Sequence, residues 1–441
     1  MSQSGIVLDE YVRMGIDNNH ALKQKELNLE KSLRALREAN GLFYPSVGLE
    51  AQYLLAAGGR SIEMPVGDML NGVYSSLNSI LESMGQTGGF PQIENEKIEF
   101  LPNNYHDTKV RVIMPLVNAE IYYNRKIKKE QISMAQAELN VYKRELVKEI
   151  KTAYYRYLQT IQIVDAYTSA VELVQEAHRV NKKLVENQMA GPEKLYRIEA
   201  ELSQVKAQLA RAENDQKTAA SYFNFLINQP LRQHVTTDSA LLKAESAVVP
   251  LSYDNPNNRE ELMQLNSALQ STLLYHKMKK SYLVPTVSNV TDLGYQGYSY
   301  TFNRDQQYVM NAINLSWPIF SGFQNRQKAA QAKIESESIQ SRLDEAELQI
   351  ELQSQVAQDN YETSLKAEEA SRYSLLSSKA YYKVVNRQYA VGQKSLLDLL
   401  DARNQLTGSQ IAYDVSRFET FIRLAELERA NAGYNLSLLT P

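Results

Sequence analysis

The pentapeptide VIMPL at residues 112–116 shows how the chain is organised, because a similar pentapeptide, LSWPI, returns at residues 315–319. Two further pairs of segments recur in the same order: YPSV at 44–47 with VPTV at 284–287, and Ala190-Gly191 with Val391-Gly392. A recurrence that keeps its order over such a length indicates an internal duplication. The first half differs by a longer insertion between its strands, residues 58–104.

Each half continues beyond its proline into a long stretch without Pro or Gly. In the first half, apolar residues such as Leu139, Tyr142, Leu146 and Ile150 recur at steps of three and four, which is typical of one face of a helix. The pattern predicts helices over 118–189 and 322–390, each roughly 100 Å long at 1.5 Å per residue. Returning helices are predicted over 193–227 and 394–432. Each half therefore contains a helical hairpin with coiled-coil-like packing.

Upstream of each long helix the apolar period changes from three or four residues to two. Alternation predicts β-strands over 46–55, 108–116 and 308–317, each with one apolar and one polar face, and a less regular strand over 285–298. Four strands cannot close a barrel, for which about eight is the practical minimum. An open sheet with an apolar face and free edges favours association, and three copies would supply twelve strands.

The overall composition excludes several classes of function. The 441 residues carry 48 basic and 51 acidic residues, so the net charge of -3 leaves no basic surface for nucleic acid. No cysteine is present, which excludes disulfides and thiolate metal sites. The five histidines are scattered, and no motif of nucleophilic or metal-assisted catalysis occurs. We therefore expect neither an enzyme nor a cofactor.

Residues 389–403, YAVGQKSLLDLLDAR, carry a resemblance to a known family. They are similar to the second periplasmic tip of the TolC-like outer-membrane efflux proteins, and PIFSG at 318–322 resembles the motif with which that family ends its last strand. The resemblance implies a mainly α fold with a membrane β-barrel. Duplicated helical hairpins would form a trimeric α-barrel, and four strands per protomer would contribute to a 12-stranded barrel.

The resemblance also implies a location and partners. The protein would be a homotrimer in the outer membrane of a Gram-negative bacterium, in contact with lipid, with its helices in the periplasm. It would work with a periplasmic adaptor and an inner-membrane transporter to export drugs, toxic compounds or proteins. Residues 1–5 lack the pattern of a signal peptide, and we expect one to have been removed.

The predicted organisation follows the duplication. It consists of an N-terminal helix of repeat 1 (1–45), a first β-hairpin with a long extracellular loop (46–118), a helical hairpin (119–228), an equatorial segment (229–258), an N-terminal helix of repeat 2 (259–284), a second β-hairpin (285–319), a second helical hairpin (320–432) and a C-terminal equatorial tail (433–441).

Four residues of the resembling tip are candidates for a periplasmic gate. Asp398 and Asp401 lie three residues apart on one helical face, and in a threefold assembly each would become a ring of carboxylates able to attract cations. Tyr389 and Lys394 match residues that family members use in interhelical links at the closed mouth. The alternative is that both aspartates only cap or solvate the start of a helix.

The first tip departs from the family pattern. Arg197 stands where some members carry an acid, so the closed-state network would be wired differently, with Glu193 or Glu199 as candidate acceptors. Gly191, Val391 and Gly392 are the tip residues that we expect to contact an adaptor. A purely structural role of the two glycines in the turns is equally open.

The insertion of the first hairpin and the class of the whole chain each admit two interpretations. The insertion over 58–104 contains an amphipathic stretch over 69–84, and either an extracellular lid or an exposed segment without a transport role fits it. For the whole chain, the alternative to a duct is a soluble periplasmic coiled-coil adaptor or scaffold. That alternative shares the helical hairpins but lacks lipid-facing strands.

Overall fold

The computed structural model describes residues 6–87, 89–243 and 259–436. Within these residues the chain is mostly helical and contains antiparallel strands, which confirms the predicted fold class in this form. The chain divides into two compact units. One comprises Met1–Leu36, Lys126–Lys277 and Lys328–Pro441, and the other comprises Arg37–Arg125 and Met278–Gln327.

The helices and strands are, in chain order, α1 (Ile6–Asn18), α2 (His20–Gly41), β1 (Ser46–Leu54), β2 (Ser61–Met64), α3 (Val66–Ser83), β3 (Glu96–Glu99), β4 (Tyr105–Val117), α4 (Ala119–Glu186), α5 (Pro192–Leu226), α6 (Ser239–Lys243), α7 (Glu260–Lys280), β5 (Thr286–Tyr298), β6 (Gln307–Ser316), α8 (Gln324–Ala390) and α9 (Leu396–Ala430). Short 3-10 turns occupy Ser281–Leu283 and Arg304–Gln306. No described helix is both long enough and apolar enough to cross a bilayer.

The long helices α4 and α8 contain 68 and 67 residues, which corresponds to about 100 Å each. Neither contains Pro or Gly, so nothing in the backbone interrupts them. In α4, Leu146, Ile150, Tyr154 and Leu158 follow one another at steps of four and are at most 1% exposed. This stripe forms the centre of the main core of the first unit, against which α1 and α5 also pack.

The N-terminal segment differs from the single helix predicted for residues 1–45. It forms α1 and α2, separated at Asn19. The Asn19 side chain accepts a hydrogen bond from the Leu22 backbone N–H at 2.9 Å and donates one to the Leu226 carbonyl at 3.2 Å. Asn is a good helix N-cap, and this cap starts a second helix where the apolar pattern alone predicted continuity.

The main sheet of the second unit is antiparallel with the order β1-β4-β5-β6. Its strands lie within two or three residues of the four that alternation predicted. The last strand of the first half, β4, pairs in the centre of the sheet with the first strand of the second half, β5. Their register sets Arg111 opposite Asp292. As a result β1 and β6 are the outer strands of this sheet.

The two faces of the sheet have opposite character. Cross-strand pairs such as Leu49 with Val110, and Leu293 with Val309, place apolar side chains on one face. Four of these side chains are strongly exposed, at 68–74%: Val47, Leu49, Val309 and Ile313. The other face carries a row of charges in which Arg111 bridges Glu50 on β1 and Asp292 on β5. Lys109, Asp107 and Tyr308 extend this polar row.

The insertion of the first hairpin is structured, although the sequence predicted only an amphipathic stretch there. It contains α3 between β2 and β3, and the latter two form a separate two-stranded sheet. Strands of four residues are too short for alternation to identify them. Of the predicted equatorial parts, residues 244–258 and 437–441 lie outside the described residues.

A cluster of ion pairs joins α7 to α4 and α9 in the first unit. Arg259 and Arg429 both pair with Glu261, at 2.7 and 2.6 Å, and Arg429 also contacts Glu145 at 3.1 Å. Arg144 pairs with Glu260 at 2.7 Å and donates to the carbonyls of Ala432 and Tyr434. These contacts tie the start of α7 and the end of α9 to the middle of α4.

Candidate functional site at the hairpin tips

The turn between α8 and α9 contains most of the candidate gate residues. Gly392 ends α8 with φ of 76°, in the left-handed region that favours glycine. Its N–H bonds the Tyr389 carbonyl at 3.0 Å, and the Gln393 N–H bonds the Gln388 carbonyl at 2.8 Å. This pair of bonds is a Schellman motif, which satisfies the last carbonyls of the helix.

The turn between α4 and α5 has the same geometry, but a different residue occupies the left-handed position. Gln188 has φ of 60°, while Gly191 is extended with φ of -76°. Gly191 therefore does not supply the left-handed residue of its turn; it is the N-cap of α5 and corresponds to Ser395 of the second tip. The sequence match pairs Gly191 with Gly392, whereas the structure pairs Gly191 with Ser395, three residues further along the chain.

The corrected equivalence gives Arg197 a definite counterpart. Both positions lie six residues beyond the N-cap of their helix, Arg197 after Gly191 and Asp401 after Ser395. Both side chains are exposed. A cation on the first tip therefore takes the place that an acid holds on the second.

Asp398 forms the start of α9. Its carboxylate accepts the Ser395 backbone N–H at 2.9 Å, and its own N–H donates to Ser395 Oγ at 3.2 Å, which together make a capping box. Lys394 Nζ lies 3.7 Å from the same carboxylate. The hydrogen bonds from Ser395, with the charge of Lys394, hold the pKa of Asp398 below its usual value. The capping role is thus present, and Asp398 remains a partly exposed anion.

Tyr389 joins the two hairpins near their tips. Its hydroxyl donates to Asn181 Oδ1 on α4 at 2.8 Å, and Asn181 Nδ2 donates to the Ala177 carbonyl at 2.8 Å. Asn181 is fully buried, so its amide depends on these partners. Burial raises the pKa of Tyr389, and the bond to Asn181 opposes that rise. The tyrosine therefore acts as a neutral donor between α8 and α4.

A second contact between the hairpins was not foreseen from the sequence. Arg403 on α9 forms a buried ion pair with Glu201 on α5, and both side chains are less than 10% exposed. Burial lowers the pKa of Arg403, which the Glu201 carboxylate opposes. Arg403 falls inside the family-like motif, but only the packing of α5 against α9 identifies its partner.

Apolar packing surrounds these polar contacts. Buried side chains of α4, α5 and α9 form one cluster, to which Tyr389 adds a partly buried ring; its buried members are Ala170, Val171, Val174, Ile198, Val205, Leu396 and Leu400. Beyond the cluster the tips expose apolar side chains, and Met189, Tyr196, Val391 and Leu397 are each 65–73% exposed. The tips are held together internally and offer apolar residues outward.

The site holds no arrangement suited to a metal. Among the described residues, no three or more His, Asp or Glu side chains come close enough together to hold an ion. Of the predicted site residues, the structure brings Lys394 to Asp398. Asp401, Arg197 and Val391 are exposed on the two tips.

Comparison with known protein families agrees with the resemblance of the tip motif. The family model described as outer membrane efflux protein matches residues 251–430. A search of curated proteins found no significant match.

Solved outer-membrane channels have the same fold. The Campylobacter jejuni channel CmeC superposes with a TM-score of 0.75 at 14% identity, over 97% of this chain and 85% of that one. The open state of the Neisseria gonorrhoeae channel MtrE gives 0.76 at 16%, over 96% and 88%. The Vibrio cholerae protein VceC gives 0.74 at 12%, over 96% and 95%. The resemblance seen in the tip motifs is thereby confirmed: residues 251–430 match the outer membrane efflux protein family, and the chain has the fold of solved outer-membrane channels.

Proposed function

We propose that three copies of the chain form a passive duct through the outer membrane and the periplasm of a Gram-negative bacterium, for the efflux of small molecules. The observation that supports this most is the main sheet. Its apolar face exposes side chains that are costly to leave in water, and its opposite face carries the row from Glu50 through Arg111 to Asp292. In a membrane barrel, lipid would cover the apolar face and water would solvate the charged face.

Association follows from the edges of the sheet. The outer strands β1 and β6 each present one side to a neighbour, and their antiparallel order lets β6 of one copy pair with β1 of the next. Three copies give twelve strands, an even number within the range of bacterial outer-membrane barrels. The equivalent hairpins α4–α5 and α8–α9 would then line a tunnel, in which α4 and α8 are each about 100 Å long.

The tips supply the gate in this proposal. Asp398 and Asp401 would form two rings of three carboxylates at the periplasmic mouth. Arg197 would face these rings from the tip of the neighbouring α4–α5 hairpin. Tyr389 with Asn181, and Lys394 with Asp398, hold the mouth in its closed form. Opening requires these contacts to break, and the energy for export comes from the inner-membrane pump.

The exposed apolar side chains at the tips fit an adaptor. Val391 lies beside Gly392 in the second turn, and Met189 lies beside the first turn that ends at Gly191. A periplasmic adaptor that packs on these residues would cover them and couple the duct to the pump. The alternative, a soluble adaptor or scaffold, leaves the apolar face of the sheet without a function and is the weaker reading.

The gate is tested by cation block of the reconstituted protein. Purified protein in planar bilayers should conduct, and a trivalent cation added on the periplasmic side should block it. Asp398→Asn with Asp401→Asn keeps a side-chain acceptor for the Ser395 N–H but removes both charges, so the block should weaken at least tenfold. Glu186→Gln, an exposed acid at the end of α4, is the matched control and should leave the block unchanged.

Two outcomes would count against the proposal. Unchanged block in the double variant would remove the two aspartates from the gate. A purified protein that remains fully soluble without detergent and produces no conductance would contradict the duct and favour the adaptor.

A further inference from the structure

The helix α3, within the insertion of the first hairpin, packs against the chain that follows it. Its contacts with the returning segment over 89–95 are polar: Asn71 exchanges two hydrogen bonds with Ile93, both at 2.8 Å, and Asn78 exchanges two with Phe90, at 2.6 and 2.9 Å. A stacked pair of rings, Tyr74 on Phe90, lies between them. The amide side chains therefore fix the inner face of α3.

The approach of this returning segment is close enough to require glycine. A Cβ on Gly67 would lie 2.3 Å from the Ile93 carbonyl oxygen, a distance that no side chain tolerates. Asp68 is bonded to the same segment through Asn95, at 3.0 Å. The helix is thus held with one defined face inward, and the rest of its surface is left uncovered by this segment.

Beside this inner face, α3 carries an unbroken apolar seam. Its members follow at steps of four, three, four, three and four, and five of them are exposed by 37–70%; the seam consists of Val66, Leu70, Val73, Leu77, Ile80 and Met84. This spacing is the heptad repeat of a coiled coil. An isolated helix of 18 residues gains nothing in water from such a seam, so the seam requires a partner.

The types of residue on the seam favour an assembly of three or more identical helices over a pair. In heptad terms, Leu70, Leu77 and Met84 occupy the a positions, and the β-branched Val66, Val73 and Ile80 occupy the d positions. Leucine at a with β-branched residues at d disfavours two-stranded coiled coils and shifts the preference to higher orders. The positions flanking the seam, e and g, carry no charge, so identical copies do not repel one another there.

A lipid surface is the competing occupant, and the charges argue against it. Helices that lie on membranes carry Lys or Arg on their polar face. The only charged residues of α3 are the acids Asp68 and Glu82, and the insertion over 58–104 holds six acidic and two basic residues, a net charge of -4. Negative lipid head groups would repel such a segment.

We propose that the α3 helices of three protomers associate through this seam into a parallel bundle, which closes the outer mouth of the duct. The inference rests on the proposed threefold assembly, in which the insertions between β1 and β4 emerge at the same end of the barrel. Three helices would bury the seam in one contact about 27 Å long. The apolar bundle would form a lid separate from the periplasmic gate.

The absence of cysteine makes a direct test simple, because one introduced cysteine is the only thiol in the chain. Val73→Cys and Ile80→Cys place thiols at two d layers, and Ser79→Cys, exposed on the same helix but off the seam, is the matched control. Under mild oxidation of the intact detergent-solubilised protein, the seam variants should form covalent dimers. A threefold bundle allows one disulfide per trimer, so at most about two-thirds of the chains should be crosslinked.

The outcomes separate this inference from the proposed assembly. If the native mass is that of a trimer but the seam variants crosslink no more than Ser79→Cys, the lid is wrong and the duct stands. If the protein is not a trimer, both are overturned. Complete crosslinking with doubled mass would indicate pairing between trimers and would overturn the lid.

A membrane occupant gives a different signal. A bimane label on Ile80→Cys should report the same apolar environment in detergent and in vesicles of phosphatidylethanolamine and phosphatidylglycerol. A blue shift only in the vesicles would show insertion into lipid and would overturn the inference. As a check that does not depend on the periplasmic gate, Leu77→Glu should abolish the crosslinking of Ile80→Cys, because three carboxylates cannot share the seam; unchanged crosslinking would contradict the bundle.

Discussion

Glu201 and Arg403 show what a buried ion pair does at the tips. Both charges lose most of their water, and their mutual contact compensates for that loss only while both are present. The pair joins α5 to α9 within the apolar cluster that also holds Leu400. It therefore fixes the register of one returning helix on the other, a contact that the motif around Arg403 could not reveal by itself.

Removal of one partner should be far more harmful than removal of both. Arg403→Met leaves the Glu201 carboxylate buried without a cation and should cost roughly 3 kcal/mol, seen as a lowered Tm in circular dichroism. Glu201→Leu combined with Arg403→Met should recover most of that loss. A double variant as unstable as the single one would contradict a pair whose two charges act mainly on each other.

The two turns differ at one residue whose effect can be measured. Gln188 adopts a left-handed conformation that Gly392 adopts at no steric cost. Gln188→Gly should therefore stabilise the first turn by roughly 1 kcal/mol, and Gly392→Gln should destabilise the second by a similar amount. Hydrogen exchange of the turn amides measures both, and changes of the same sign in the two variants would contradict the assigned geometry.

At the scale of elements, the apolar period predicted the long helices and the four main strands to within a few residues. The reason is physical: a helix of 68 residues or a strand with one apolar face repeats its signal many times. The break at Asn19 and the short strands β2 and β3 were missed, because a single side-chain cap and a four-residue strand each leave almost no periodic signal. Of the candidate site, the tip motif drew attention to Asp398 and Tyr389, but Asn181 and Glu201 depend on contacts between distant helices that a motif does not show.

The ion-pair cluster at the start of α7 predicts how stability depends on pH. Burial alone would raise the pKa of Glu261, but the hydrogen bonds from Arg259 and Arg429 lower it from 4.5 to about 2. The folded state therefore binds its proton less readily than the unfolded chain. The contribution of Glu261 is fully present above pH 4.5 and is lost as the pH falls from 4.5 towards 2.

Glu261→Gln isolates this contribution. At neutral pH the variant should be less stable by about 1–3 kcal/mol, because Arg259 and Arg429 lose their shared carboxylate. The difference in Tm from the unchanged protein should shrink between pH 4.5 and pH 2. Glu82→Gln, which removes an exposed acid of α3, should show no such trend. A constant difference across that range would contradict the assigned interaction.

For the whole molecule, the decisive feature is a sheet that is incomplete by itself. Its outer strands β1 and β6 end the order β1-β4-β5-β6, and one face exposes Val47, Leu49 and Ile313. The sequence predicted the need for association from four strands, whereas the number three came from the resemblance. The lid of three α3 helices and the rings of Asp398 and Asp401 both depend on that number.

The mass of the purified native protein in detergent therefore distinguishes the trimer from every other assembly. Native mass spectrometry, which removes the bound detergent, should give three times the 50.1 kDa of one chain, with no larger species. A protein that remains at 50.1 kDa across the accessible concentrations, or that forms an assembly of another number, would contradict the trimeric duct.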